Sequence, residues 1–281
     1  MEFISDLMHY GFLQKALFTS IMVGIICGVI GCFIVLRGMA LMGDAISHAV
    51  LPGVAISYML GINYFYGAVL FGILAALGIG IVSQHSRTKN DSSIGIVFSA
   101  FLALGVILIS KAQSAIDLTQ ILFGNVLSVQ SSDMWMTLIV GAIVLVVIIL
   151  FYKELLISSF DPTMSAAYGL PTRLIHYTIM VLLTMVTVAS LQTVGVILVV
   201  AMLITPASTA YLLTNRLSTM IVLSSVLGAA SAVIGLYFSF VYNLSSGAVI
   251  ALVTTFFFLL AFIFAPHKGV LWQFIRKTAK E

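Results

Sequence analysis

Charge is what this sequence has least of: Lys, Arg, Asp and Glu make up 7% of its 281 residues, against 62% that are hydrophobic. A soluble domain covers its surface with roughly a quarter charged residues, so a water-exposed globular fold is excluded. A mean hydropathy of +1.22 places the chain in a membrane. Cysteine is scarce as well, at two residues, which excludes a disulfide-built secreted scaffold. No low-complexity or collagen-like tract is present. The pattern GxxxxGK[ST] is missing, so any ATP that drives this chain must be bound by another one. There is also no nucleophile with a base at hand and no paired carboxylates, and the expectation is a transport subunit rather than an enzyme, with no nucleic-acid partner.

What the sequence does have is long uncharged runs. Lys15 and Arg37 bracket 21 residues, Asp91 and Lys111 bracket 19, and Asp133 and Lys153 bracket 19, each the length of one span. Arg37 to Arg87 holds two spans broken at Gly61, Ile62 and Asn63, with Asp44 the single charge inside. Arg173 to Arg216 brackets 42 residues with a polar break at Gln192 and Thr193, and Arg216 to Lys268 brackets 51 with a break around Asn243. The total is nine. The fold class is thus an all-α integral membrane protein, a polytopic bundle of about nine helices in a single domain, 1–281. An eight-span alternative folds the Gln192 region back as a re-entrant turn.

Orientation follows from the basic residues, which cytoplasmic loops retain. Nine spans put Arg37, Arg87, Lys89, Lys153, Arg173, Arg216, Lys268, Arg276, Lys277 and Lys280 on one side and only Lys15 and Lys111 on the other. The N-terminus is then outside and the C-terminus inside the cell membrane. The first 14 residues lack a basic region and a cleavage site, so the first span itself is expected to direct insertion.

Two connections stand out. In the loop from Lys153 to Arg173, Asp161 is a good N-cap and Pro162 suits the first helical position, while Gly169 and Pro171 form a stop. The spacing predicts a short helix over Thr163 to Tyr168. Phe160, Met164 and Tyr168 recur every four residues as one stripe, facing either a protein groove or lipid headgroups. On the opposite side, Ala112 to Ser132 reads as an interfacial amphipathic segment, with Asp117 and Asp133 offered to an external partner or simply solvated.

The chemistry sits in the second span. Asp44 is a carboxylate in the hydrocarbon region, which is costly enough to signal function. His48, four residues on, projects from the same helical face. Counted from Arg37, the two lie about 10 and 16 Å deep, near the midplane. Pro52 kinks the helix and leaves the His48 carbonyl without its usual partner, and Ser47 flanks the same face. A carboxylate, an imidazole and a carbonyl suit divalent Mn, Fe or Zn. One helix has too few ligands, so either other helices or a second copy across a two-fold axis completes the set. The plain alternative for Asp44 is a salt bridge to Arg37, one that needs a helix continuous through Gly38. Cys27 and Cys32 point apart and read as buried thiols, while His9, His85, His176 and His267 lie at span ends. Gly24 and Gly28 form a small-xxx-small packing pair, and Pro206 bends a later span beside Thr205, Ser208 and Thr209.

The segment Gly43-Asp44-Ala45-Ile46-Ser47-His48-Ala49-Val50-Leu51-Pro52-Gly53 resembles the signature second helix of membrane subunits of ABC importers for manganese, zinc and iron. Leu122-Phe123-Gly124-Asn125-Val126-Leu127-Ser128-Val129 is similar to that family's external segment. Phe160-Asp161-Pro162, Ala166 to Pro171 and Leu203-Ile204-Thr205-Pro206-Ala207 resemble its coupling helix and late-helix motif. The likeness runs from end to end and is closest to manganese permeases of Gram-positive bacteria. It implies a type II importer-like homodimer with no permanently bound cofactor. Two cytoplasmic ATPase subunits and an external metal-binding lipoprotein would be its partners. It further implies that Asp44 and His48 contact the metal in transit, and that Phe160, Asp161, Met164, Ala167, Tyr168 and Gly169 couple to the ATPase. An ion-coupled secondary transporter without an ATPase is the alternative, and a subunit holding haem through His48 a third reading.

Overall fold

A computed structural model describes residues 9–85, 90–111, 126–265 and 269. Most of the predicted external segment, including Asp117, lies outside the described residues, as do Arg87, Lys89, His267 and the basic residues of the C-terminal tail. Among the described residues the regular structure is helical throughout. The helices are α1 (Gly11–Leu36), α2 (Leu41–Ala49), α3 (Leu51–Leu60), α4 (Tyr64–His85), α5 (Asn90–Lys111) and α6 (Ser131–Leu150). They continue as α7 (Tyr152–Phe160), α8 (Pro162–Ala167), α9 (Thr172–Val194), α10 (Val196–Leu213), α11 (Leu217–Tyr242) and α12 (Ser246–Phe264), with a 3-10 turn at Val126–Ser128.

Eight of these helices, α1, α4, α5, α6 and α9 to α12, are long and apolar enough to cross a bilayer. The remaining expected span, the second, is divided. Its halves α2 and α3 have 9 and 10 residues and meet at Val50, whose N–H still bonds the Ile46 carbonyl while its own carbonyl accepts from Val54. Both halves lie along α4. The Gly53 and Gly67 backbones touch, and farther along a Cβ on Gly72 would strike Val50 and, on α9, Thr184. The pair therefore runs as one kinked crossing antiparallel to α4, about 30 Å long at 1.5 Å per residue.

The core forms where small residues let backbones meet, since within a membrane packing replaces the hydrophobic effect as the force between helices. Gly24 and Gly28 of α1 fit against Gly228 and Ser224 of α11; a Cβ on Gly24 would sit 2.7 Å from the Gly228 carbonyl carbon. Ser224 Oγ also donates to the Gly28 carbonyl at 3.0 Å. The contact fixes α1, the most buried of the long helices, and α11 as antiparallel neighbours.

Two sequence expectations are corrected and one alternative is excluded. The break predicted at Gln192 and Thr193 falls instead at Gly195 (φ +82°), a single residue between α9 and α10. Thr193 stays helical because its hydroxyl bonds the Ser190 carbonyl at 2.9 Å, so a polar side chain here needs no loop. The Lys153 to Arg173 connection contains a second helix, α7, ahead of the expected one. Finally, Arg37 and Asp44 do not share a helix: Gly38 adopts φ +65° and ends α1.

The basic residues sort to the ends as expected where they are described. Arg37 reaches α7, and Leu36, Phe160 and Arg216 line one cleft, so these cluster at one end of the bundle. Lys15 Nζ donates to Ser131 Oγ at 2.7 Å at the opposite end.

Candidate functional site

The helix that carries the candidate ligands starts just after the Arg37–Gly38 turn. The Met39 N–H bonds the Ile34 carbonyl and the Met42 N–H bonds the Met39 carbonyl, so a four-residue turn joins α1 to α2. Along α2 the buried residues Met42, Ala45, Ile46 and Ala49 hold one face against the bundle. Asp44 and His48 occupy the other face.

Their side chains meet: Asp44 Oδ1 and His48 Nε2 are 3.6 Å apart, with the Asp44 side chain 47% and the His48 side chain 21% exposed. Two ligands about 2.1 Å from one ion and set at right angles lie about 3 Å from each other. A small rotamer adjustment therefore lets one cation bridge them. The His48 ring stands edge-on to Phe98 of α5, with centroids 5.6 Å apart at 68°, a contact that restrains the imidazole. Among the described residues no group of three or more His, Cys, Asp or Glu side chains is positioned around an ion.

The other members of the expected set behave differently. The Ser47 hydroxyl is turned inward and donates to the Gly43 carbonyl at 2.9 Å. The His48 carbonyl is not left open, because Pro52 sits in the first turn of α3 and a cap N–H at the Val50 junction donates to that carbonyl. A proline at a helix start removes a donor that had no partner there in any case. The Arg37 alternative is also overturned: its Nη2 donates to Ser158 Oγ at 3.0 Å and its Nε to Ser159 Oγ at 3.2 Å, both on α7. Phe98 was missed by sequence reasoning, since nothing in an apolar run marks which phenylalanine meets the imidazole.

At the Arg37 end, α8 forms as its caps require. The Asp161 carboxylate accepts from the N–H groups of Thr163 (3.0 Å) and Met164 (2.9 Å) and from the Thr163 hydroxyl (2.6 Å). These bonds hold the Asp161 carboxyl below the usual carboxylate range. The Leu170 N–H closes the other end on the Ser165 carbonyl, with Gly169 at φ +77°. Ser165 is buried, whereas Phe160, Met164, Ala167 and Tyr168 are exposed, the three large ones as an apolar stripe at the bundle's end.

In α10, Pro206 lies inside the helix, and the Thr209 hydroxyl bonds the Thr205 carbonyl at 2.7 Å. Cys27 and Cys32 are buried free thiols; Cys32 donates to the Gly28 carbonyl.

The profile of the ABC 3 transport family matches residues 9–265, nearly the whole chain. The chain belongs to this family. It is 67% identical to the manganese transport system membrane protein MntC of Listeria innocua, over 97% of this chain and 98% of that protein. It is 54% identical to the manganese import system permease protein ScaB of Streptococcus gordonii, over 96% and 97%. A solved structure, PsaBC from Streptococcus pneumoniae in complex with Fab, superposes with a TM-score of 0.88 at 52% identity, covering 99% of both chains. ABC 3 membership makes the bundle the membrane-spanning part of an ABC transporter, in keeping with the missing phosphate loop.

Proposed function

We propose that this chain is the permease of a manganese importer, with the metal passing between Asp44 and His48 and ATP hydrolysed by separate subunits. The observation that carries the reading is the Asp44–His48 pair: a carboxylate and an imidazole 3.6 Å apart on the first half of the divided second span. An ionisable pair half-exposed at that depth is too costly to face lipid. A second copy across a two-fold axis would cover it and bring the ligand count to four, with water able to complete the shell of a hard cation. The names of the relatives support manganese as cargo, while the ligand chemistry alone would also admit iron or zinc. The single permease domain would stand with its N-terminus outside and its C-terminus in the cytoplasm of the cell. The α8 stripe would then dock on two cytoplasmic ATPase subunits, and the opposite end would receive metal from an external binding lipoprotein.

The test is uptake by proteoliposomes holding the permease, the ATPase and the binding protein, with Mn2+, Fe2+ and Zn2+ supplied in turn. Accumulation of Mn2+ that requires internal ATP is the expected result. Equal accumulation without the ATPase would replace the reading with ion-coupled transport.

A further inference from the structure

Arg37 is half-buried at the joint between α1 and α2, and burial pushes its guanidinium down to about 10. A desolvated cation normally recruits a carboxylate, yet no carboxylate of the described residues lies within ion-pair distance of it. What Arg37 has instead is a two-point grip on the last turn of α7. Its Nη2 donates to Ser158 Oγ and its Nε to Ser159 Oγ. Both serines are buried. The Ser159 hydroxyl spends its one proton on the Leu155 carbonyl at 2.6 Å, so it can meet Arg37 only as an acceptor. Two donors on one rigid plane engaging two adjacent residues fix rotation as well as distance.

The position of this grip matters more than its strength. On one side, α7 runs without a gap into the cap of α8: the Asp161 N–H bonds the Ile157 carbonyl, and Asp161 then starts the next helix. On the other side, Arg37 caps α1, Gly38 turns, and α2 carries Asp44 seven residues later. Leu36 and Phe160, the residues next to Arg37 and Ser159, line the same cleft beside the grip.

We propose that Arg37, through Ser158 and Ser159, is the strut that transmits movement of α8 to the ligand-bearing helix α2. The inference rests on the roles given to α8 and to Asp44–His48 above. Arg37 acts here as a positioning residue and touches neither metal nor nucleotide. A displacement of α8 rotates α7, pulls the guanidinium with it, and swings α2 about Gly38.

The test measures Mn2+ transported per ATP hydrolysed by the reconstituted complex of permease, ATPase and binding protein. Arg37→Met keeps the aliphatic bulk and removes the donors; Ser158→Ala with Ser159→Ala removes the acceptors. Each should lower the ratio about tenfold, within the span of ordinary coupling energies, with Mn2+ binding and ATPase co-purification unchanged. The combination of all three substitutions decides between a strut and a merely structural contact. Removing both partners together leaves no unsatisfied buried group, so a structural contact predicts that the triple variant recovers wild-type stoichiometry, whereas a strut predicts that it stays uncoupled. Recovery, loss of the ATPase, or failure of the triple variant to fold would each overturn the proposal. Failure of the wild-type complex to couple Mn2+ uptake to ATP would instead refute the functional reading beneath it.

Discussion

Asp44 and His48 sit on the face of α2 opposite its buried residues, so their effect on function separates from packing. Asp44→Asn keeps size and removes charge; His48→Ala removes the nitrogen. Each is expected to reduce Mn2+ uptake more than about a hundredfold, since loss of a ligand costs at least as much as loss of a ligand's own hydrogen-bond partner. Assembly with the ATPase should persist, because neither side chain is a core contact. Uptake assays beside co-purification check this, and full uptake by the double variant would remove the metal path from this helix. Phe98→Ala is expected to weaken metal binding more mildly, by freeing the imidazole it meets edge-on; a titration of Mn2+ against both proteins measures it.

Helix α8 is the element whose caps govern function. Asp161→Ala removes three hydrogen bonds at once and should fray the helix and weaken ATPase co-purification, whereas Asp161→Asn keeps an acceptor and should retain most of it. The pH dependence follows from the same bonds. The Asp161 carboxyl is depressed in the folded helix, so its contribution is present above the unfolded carboxylate range and is lost as pH falls through the depressed value. Association with the ATPase should therefore weaken on strong acidification in the wild type, and this component should vanish in Asp161→Asn. Elsewhere the α1–α11 contact has no room for a side chain. Gly228→Leu would force the two backbones apart at a cost of about 2 kcal/mol or more, read as a lower Tm of the detergent-purified protein.

On the scale of the molecule, the two ends are chemically unlike: Arg37, Ser158, Ser159 and Arg216 gather at one, and Lys15 with Ser131 at the other. With the basic end in the cytoplasm, single cysteines at Ile62 and Leu244 should react with a membrane-impermeant maleimide added outside intact cells. A cysteine at Asn215 should react only after the membrane is opened. The native thiols Cys27 and Cys32 are buried and should give little background. The reverse labelling pattern would invert the topology.

The spans, the caps of α8 and the meeting of Asp44 with His48 were legible in the chain because each depends on local chemistry. A charge-free run of about 20 residues has one way to satisfy its backbone in lipid, and Asp161, Pro162, Gly169 and Pro171 act on their own few neighbours. Asp44 and His48 are one helical turn apart, so their meeting needed no tertiary contact. Tertiary structure decided what distant residues do to one another. It matched Gly24 to Gly228, set Phe98 beside His48, and turned Arg37 from Asp44 to the serines of α7. It also moved the α9–α10 break from Gln192 to Gly195, where the Thr193 hydroxyl could be satisfied within the helix and a polar side chain ceased to mark a loop. In a sequence so uniformly apolar, hydropathy carries no record of which face meets which. Shape and the few available hydrogen bonds select the partners, and these exist only once the helices are packed.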